Sequence, residues 1–251
     1  ASVVTLAAAK AGLFLTAVVL LVTMILLDRR SGARLFPSDS FSLRSTTGVA
    51  MWFALLVSIA YSPLSIFVPI FLRTLHGFDP LAAGYTVAGA SMGWTVASLV
   101  VSGWSPRAAG RLLSAGPLAM AVGLVGVAVL MPARPVVVLP ALIALVGLGI
   151  GTCWGFGVQR LMGGARAGEG DLAASAVATV QQTGFALGAA AAGIVATLSG
   201  LARGLDTQGI ANAAFWVPAS FVSVALVAVV AGSRLALIAG RADANKATMR
   251  R

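Results

Sequence analysis

The sequence predicts an all-α integral membrane protein with about seven transmembrane helices. Of its 251 residues, 59% are hydrophobic and 10% are charged, which leaves too little polar surface to coat a soluble globule. The apolar residues form seven runs, and each reaches the roughly 20 residues that a helix needs to cross a bilayer. None of the seven acidic residues lies inside a run. This is expected of membrane helices, because a carboxylate at the bilayer centre costs roughly 3 kcal/mol.

The seven runs are lettered A to G in chain order and occupy residues 3–27, 47–72, 81–104, 112–132, 135–158, 172–199 and 211–238. The connection after run A is the longest and the most basic, so we expect it to separate run A from a compact group of six. The predicted domains are a transmembrane helix at 1–27, a basic loop at 28–46, a six-helix domain at 47–238 and a basic tail at 239–251.

The shorter connections predict how neighbouring runs are joined. The segments HGFDP, between runs B and C, and PARP, between runs D and E, have the composition of tight turns between antiparallel helices. We expect His76, the single histidine, to be a solvated residue of the first of these turns. Between runs E and F the chain is rich in glycine, and Asp171 is placed to cap the start of run F.

The net charge of +10 is distributed by side. If successive connections alternate across the membrane, 13 of the 17 basic residues lie on the side of the A–B connection and three, Arg73, Arg134 and Arg203, on the other. The positive-inside rule then places the A–B connection and the C-terminus in the cytoplasm, most simply at a bacterial inner membrane. Base-stacking aromatics and basic grooves are missing, so the charge indicates contact with anionic lipid and no nucleic-acid partner.

Motifs of enzyme chemistry are missing from the chain. There is no HExxH, Walker loop, GxSxG or paired-carboxylate arrangement, and the single cysteine, Cys153, excludes an intrachain disulfide. The sequence therefore predicts a protein without catalysis, metal or cofactor.

Runs C and F suggest an internal repeat. Run C reads LAAGYTVAGASMGWTVAS and run F reads LAASAVATVQQTGFALGA, which aligns Gly93 with Gly184 and Trp94 with Phe185. The two runs are the second helices of the triplets B–C–D and E–F–G, and they cross the membrane in opposite directions. The pattern predicts two inverted three-helix repeats, as in many secondary carriers.

Three segments carry a resemblance to a known family. YSPLSIFVPIFLRTLHGFDPLAAGY, GLGIGTCWGFGVQRLM and ATVQQTGFALGAAAAGIV resemble the major facilitator superfamily, and especially its fourteen-helix drug:proton antiporter branch. The resemblance implies that runs B to G are the C-terminal half of a transporter. Run A would be a linker helix or the last helix of the N-terminal half, and that half would belong to the same polypeptide or to a separate chain. We therefore expect this chain to begin within a longer protein, although a processed, freestanding seven-helix protein is an alternative.

The family's loop motif, G-x-x-x-D-R-x-G-R, has a degenerate counterpart here. In GWSPRAAGR the residues Gly103, Gly110 and Arg111 match the motif, whereas Arg107 stands where the family has an acid. The departure puts in doubt a charge-relay lock at this loop.

Candidate substrate contacts lie in the interrupted or polar parts of runs B, C, E and F. Pro63 frees a backbone carbonyl near the midplane of run B, and two glutamines lie roughly 14 Å into run F. The predicted cavity residues are Tyr61, Ser62, Ser65, Trp94, Trp154, Gln181 and Gln182. The predicted conformational positions are Pro63, Gly151, Gly184 and Gly188, for which static packing in small-xxx-small seams is the alternative.

The resemblance implies secondary active transport, in the form of proton-coupled export of small amphipathic compounds by alternating access. The expected partners are the lipid bilayer, a small-molecule substrate and the N-terminal six-helix half, which would hold any proton-binding carboxylate. A non-transporting membrane scaffold or assembly subunit is the alternative function, and a membrane-embedded enzyme is the third.

Overall fold

The protein is all-α, as predicted. A computed structural model describes residues 3–31, 34–133, 136–201 and 207–248, and no strand occurs within them. Seven α-helices are present in these ranges: α1 (Val3–Asp28), α2 (Thr46–His76), α3 (Pro80–Val101), α4 (Pro106–Leu130), α5 (Leu139–Gly163), α6 (Gly170–Leu198) and α7 (Thr207–Thr248). A short 3-10 turn, Val136–Val138, precedes α5.

Five of the seven helices are long and apolar enough to cross a membrane, namely α1, α2, α4, α5 and α7. The other two, α3 and α6, have 22 and 29 residues but are less apolar. Glycine, serine and threonine lower the mean hydropathy of both helices, and α6 also contains Gln181 and Gln182. The protein is thus an all-α membrane protein. Its two less apolar helices, α3 and α6, are rich in polar side chains such as serine and threonine, and α6 also has two glutamines.

Several helix ends differ from the sequence-based expectations. Helix α7 continues to Thr248, so that the predicted basic tail begins as a helix. The expectation that Asp171 caps α6 is wrong, because Glu169 occupies the N-cap position and Asp171 lies in the first turn, where its charge favours the helix dipole. His76 is half-buried, and its Nε2 lies 2.9 Å from the Met131 carbonyl oxygen, so it joins two connections and is only partly solvated. Of the PARP turn, Arg134 and Pro135 lie outside the described residues.

The turn between α2 and α3 is tight, as predicted. Gly77 ends α2 with a φ of 68°, a conformation that favours glycine. Asp79 then caps α3, accepting a hydrogen bond of 2.7 Å from the Ala82 amide.

Helix packing follows the two predicted triplets, α2–α3–α4 and α5–α6–α7. The first helix of each triplet packs extensively on the second helix of the other, which pairs α2 with α6 and α5 with α3. The first helix of each also packs on the third helix of the other, which pairs α2 with α7 and α5 with α4. These pairings are therefore exchanged with one another when the triplets are exchanged, as expected of an internal two-fold repeat.

The register of the two equivalent seams supports the alignment of Gly93 with Gly184. If Gly93 were alanine, its methyl group would lie 2.5 Å from the Ala144 carbonyl oxygen. The methyl group of an alanine at Gly184 would lie 2.9 Å from the Leu55 carbonyl oxygen. Ile59 is the next backbone neighbour of Gly184, and Leu148 is the next backbone neighbour of Gly93. Ile59 and Leu148 are separated by the same number of residues as Leu55 and Ala144. The two glycines therefore occupy equivalent positions in the α3–α5 and α2–α6 seams.

Helix α1 makes fewer contacts with the rest of the protein than the other helices do. Its main partner is α6, and most of its large apolar side chains are exposed, such as Leu13 at 72% and Leu20 at 63%. At one end the Lys10 Nζ donates a hydrogen bond of 2.9 Å to the Thr197 Oγ1. The helix thus lies along α6 and leaves most of its own surface exposed.

Asp28, the last residue of α1, is a buried acid at the end of a helix. Its exposed fraction is 8%, and its two carboxylate oxygens accept hydrogen bonds from the Leu35 and Phe36 amides at 2.6 and 3.2 Å. Backbone donors thus replace the solvent around this carboxylate and fold the start of the basic connection against the helix.

Two serines in the α2–α6 seam give opposite predictions for stability. The Ser58 hydroxyl is fully buried and has no hydrogen-bond partner, whereas the Ser62 hydroxyl donates to the Phe185 carbonyl oxygen at 3.0 Å. We expect Ser58→Ala to stabilise the protein by about 1 kcal/mol, because it removes an unpaired buried group, and Ser62→Ala to destabilise it by a similar amount. Unfolding of both variants in the same detergent, against the wild type, measures this; shifts of the same sign would contradict it.

Candidate functional site

Four aromatic side chains from four helices form a continuous cluster near the middle of the bundle. Tyr61 of α2 lies at the centre, with ring centroids 5.6 Å from Trp94 of α3 and 6.1 Å from Phe185 of α6. Trp94 in turn lies 6.0 Å from Trp154 of α5. Trp94 and Phe185 are the two residues that the repeat alignment pairs, so the equivalent helices α3 and α6 present rings to the same tyrosine. Tyr61 is buried, while the other three rings are partly exposed.

The hydroxyl groups around the cluster have different surroundings. The Tyr61 hydroxyl lies near the side chain of Ser91, which is one turn before Trp94 on α3. Ser62 is buried in the seam with α6, where its hydroxyl donates a hydrogen bond to the Phe185 carbonyl oxygen. Ser65 is exposed, and its hydroxyl donates to the Ser62 carbonyl oxygen at 3.1 Å. Of the two predicted serines, Ser65 is therefore exposed and Ser62 is not. The exposed positions beside the cluster, Ser65, Ser91 and Gln182, are called the open face here.

Pro63 interrupts the hydrogen bonds of α2 at the level of the cluster. A proline has no N–H, so the carbonyl of Ile59, four residues earlier, lacks its usual helical donor. That carbonyl faces α6, where a methyl group at Gly188 would lie 2.7 Å from its oxygen. The freed carbonyl therefore lies against a glycine backbone of the neighbouring helix.

The two glutamines occupy different environments. Gln181 is half-buried and Gln182 is exposed, and within the described residues neither amide has a hydrogen-bond partner. In the repeat register Gln182 corresponds to Ser91, which is also exposed and lies near the Tyr61 hydroxyl. Gln181 corresponds to Ala90, which is fully buried against α5. The register therefore places Gln182 on the open face and turns Gln181 toward α2.

The three glycines predicted as conformational positions all lie at close helix contacts. Methyl groups at Gly184 and Gly188 would lie 2.6 and 2.7 Å from the Cβ atoms of Ser58 and Ser62. A methyl group at Gly151 would overlap the Trp94 carbonyl oxygen and lie 2.8 Å from the Ala97 Cβ. Close approach of the backbones explains why these positions are glycine, and it links the α3–α5 seam directly to Trp94.

The degenerate loop motif lies between α3 and α4. Gly103 is in the connection and has open space around it, while Gly110 lies within α4, where a methyl group would be 3.7 Å from the Ala236 Cβ. Arg111 is exposed in the same helix. Arg107 falls in the first turn of α4, and its side chain lies outside the described part of the structure.

The end of the bundle that carries the α1–α2, α3–α4 and α5–α6 connections is called the basic end here. Arg166 binds Asp39 through two hydrogen bonds of 3.0 and 3.2 Å, which joins the α5–α6 and α1–α2 connections. Nearby, the carboxylate of Glu169 accepts from the Ser38 amide at 3.2 and 3.3 Å. Desolvation raises the pKa of Glu169, but the hydrogen bonds from Ser38 and the charges of Arg166 and Arg34 outweigh it, so this pKa lies below its usual value.

The structure thus brings Tyr61, Trp94 and Trp154 together, as parts of one cluster, and leaves Ser62 in a seam. Sequence reasoning did not assign site roles to Phe185 and Ser91. A signal for Phe185 was present, because the repeat alignment places it opposite Trp94. Ser91 had no such signal, since a serine in an alanine-rich helix is ordinary.

Comparison with known proteins relates the chain to efflux transporters. No family model matches the chain. The chain is 33% identical over 224 residues to a probable multidrug-efflux transporter of Mycobacterium tuberculosis (strain CDC 1551 / Oshkosh). The same values hold for a probable multidrug-efflux transporter of strain ATCC 25618 / H37Rv. Each alignment covers 84% of this chain and 47% of the relative, so the chain spans about half the length of the curated relatives it matches.

Proposed function

We propose that this chain is the C-terminal half of a major facilitator transporter that exports small amphipathic compounds. The similarity to half of two probable multidrug-efflux transporters carries this proposal. The exchange symmetry of the two helix triplets also supports it, because inverted repeats are typical of carriers that alternate access around a midplane site. In this proposal α2 to α7 form the half-transporter, and α1 is a linker helix or the last helix of the other half.

The proposed cargo site is the aromatic cluster and the open face beside it. Tyr61, Trp94 and Trp154 would contact the apolar body or the cationic group of the cargo, and Ser65 and Gln182 would offer hydrogen bonds. Within the described residues no acid lies in the middle of a helix, so in this proposal a proton-binding carboxylate belongs to the N-terminal half. Gly151, Gly184 and Gly188 would let the seams beneath the cluster shift during alternating access.

The proposed orientation places the basic end in the cytoplasm of a bacterial cell. The described arginines at this end are Arg29, Arg30, Arg34, Arg44, Arg107, Arg111, Arg160, Arg166, Arg234 and Arg241, whereas Arg73 is at the other end. Such an asymmetry is typical of cytoplasmic connections.

The two glutamines provide the test of the site. In cells that express the intact protein, we expect Gln182→Ala to slow efflux of the lipophilic cation ethidium about fivefold, because a hydrogen bond contributes about 1 kcal/mol. Gln181→Ala should have a smaller effect, since this side chain is turned toward α2. Gln208→Ala, at an exposed position at the start of α7, is the matched control. At equal membrane abundance, wild-type efflux by both the Gln181 and Gln182 variants would remove the glutamines from the site, and no efflux by the wild type would refute export.

A further inference from the structure

An apolar groove runs between α1 and the face formed by α2 and α6. It consists of two open cavities of about 480 and 580 Å³ that share Leu21, Thr183 and Leu187. The side of α1 that faces the groove is only half-buried, at Phe14, Val18, Leu21 and Ile25. Although α1 packs on α6, space that the bundle does not fill therefore remains beside these side chains.

Each cavity has the length of one bilayer leaflet. Along α1 the first extends from Val18 to Arg29 and the second from Lys10 to Leu21. Eleven helical residues measure roughly 16 Å, about half of the 30 Å hydrocarbon core. A cationic side chain lies at the outer limit of each cavity, Arg29 at the basic end and Lys10 at the other. Apolar space of leaflet length that ends at a cation matches the shape and charge of a phospholipid.

At the basic end the groove opens into a polar cavity of about 270 Å³, and Arg29 lines both. The polar cavity is also lined by Arg34, Asp28 and Asp39. Both acids are already paired, Asp28 with backbone amides and Asp39 with Arg166. Arg29 uses one N–H for the Ser40 carbonyl oxygen, at 2.9 Å, and a guanidinium has four more. The cavity therefore keeps unused cationic donors at the level of lipid headgroups.

We propose that this groove is a binding site for one anionic phospholipid of the leaflet at the basic end. Its phosphate lies in the polar cavity against Arg29, with Arg34 nearby, and an acyl chain lies in the 480 Å³ cavity. Basic pockets between transmembrane helices are known to bind acidic headgroups in this way. The lipid would fill the space between α1 and α6, and so couple α1 to the bundle. Lipid binding in this groove does not depend on transport.

Other occupants fit the groove less well. Amphipathic cations, the proposed cargo, would meet Arg29 and Lys10 at the two ends, and both repel them. A transmembrane helix about 10 Å wide would have to displace α1, which Lys10 and the Asp28 turn hold at both ends. A neutral lipid would fill the apolar part and leave the arginine donors unused.

The test counts lipids bound to the intact protein by native mass spectrometry. The protein is purified in a neutral detergent and titrated with phosphatidylglycerol or with phosphatidylcholine of identical acyl chains. We expect one phosphatidylglycerol to bind about tenfold more tightly than phosphatidylcholine, and Arg29→Gln with Arg34→Gln to remove this preference. Arg44→Gln is the matched control, because Arg44 is exposed in the same connection and lines none of these cavities.

A second variant tests the acyl-chain part without changing charge. Thr183→Phe places a ring at the junction of the two cavities and should weaken binding of both lipids, whereas Val230→Phe, at a position 68% exposed on α7, should not. Equal affinity for the two lipids, or an equal loss in the Arg44 variant, would overturn the proposal. Unchanged binding in the Thr183 variant would overturn it as well, and would point to headgroup contact at the surface alone.

Discussion

Gly147→Ala is expected to destabilise the bundle strongly. A methyl group at Gly147 would overlap the carbonyl group of Ala90, and both atoms of that carbonyl belong to the backbone of α3. Backbone atoms cannot rotate away, so α3 and α5 must separate along the whole seam. Overpacking of this kind costs about 3 kcal/mol, which exceeds the gain of about 1 kcal/mol in helix propensity from glycine to alanine. We expect a net loss of at least about 2 kcal/mol, measured by unfolding in detergent, together with lower abundance in membranes.

Gly155→Ala is the control for this prediction, because the two glycines lie on the same helix. At Gly155 a methyl group would meet nothing within 4 Å. The alanine there should leave stability unchanged or raise it by up to about 1 kcal/mol. Similar stabilities of the two variants would mean that the α3–α5 seam is not as close as the structure has it.

The fold could be predicted because its strongest determinants are local in the sequence. Run length and the placement of acids reflect the cost of burying polar groups in lipid, and this cost gives helix number and approximate bounds without knowledge of packing. The alignment of Gly93 with Gly184 identified equivalent positions of two seams, because close packing in lipid requires small residues at fixed spacing. Capping was less predictable, as Asp171 illustrates, because several polar residues in one connection compete for the N-cap position.

The candidate site was predictable in part. Tyr61, Trp94 and Trp154 stand out as aromatics far from the helix ends, and the structure brings them into one cluster. The role of a hydroxyl depends on whether a neighbouring helix presents a carbonyl to it, and only the packed structure gives that information. Ser62 meets such a carbonyl and Ser58 does not, although the two residues are one turn apart on the same helix face.

The groove under α1 was beyond sequence reasoning for a similar reason. Run A reads as an ordinary transmembrane helix, and nothing in its composition shows how far it lies from its neighbours. The distance depends on contacts at its two ends, the Lys10 bond to Thr197 and the turn that closes on Asp28. Both involve partners that lie far away in the sequence or in an irregular connection.

Trp94→Leu is expected to cause the largest loss of transport among substitutions in the aromatic cluster. Trp94 is the only ring that contacts both Tyr61 and Trp154 in the described structure, so its removal separates the cluster into two parts. Each aromatic pair contributes about 1 kcal/mol, and a cationic cargo loses a further ring face, so ethidium efflux should fall at least tenfold. Trp94→Phe keeps a ring at this position and should restore part of the activity.

Two controls separate this loss from an effect on folding or on the membrane interface. Trp104 is 49% exposed and lies after α3 in the connection to α4, so Trp104→Leu should leave efflux near the wild-type rate at equal abundance. Efflux of an uncharged amphipathic compound should fall less than efflux of ethidium in the Trp94 variant, because only the cation uses the ring face electrostatically. If the Trp94→Leu variant is present at normal abundance and exports ethidium at the wild-type rate, the cluster is a packing element and the cargo binds elsewhere. If the leucine and phenylalanine variants are equally inactive, the indole N–H has a role that the ring contacts do not explain.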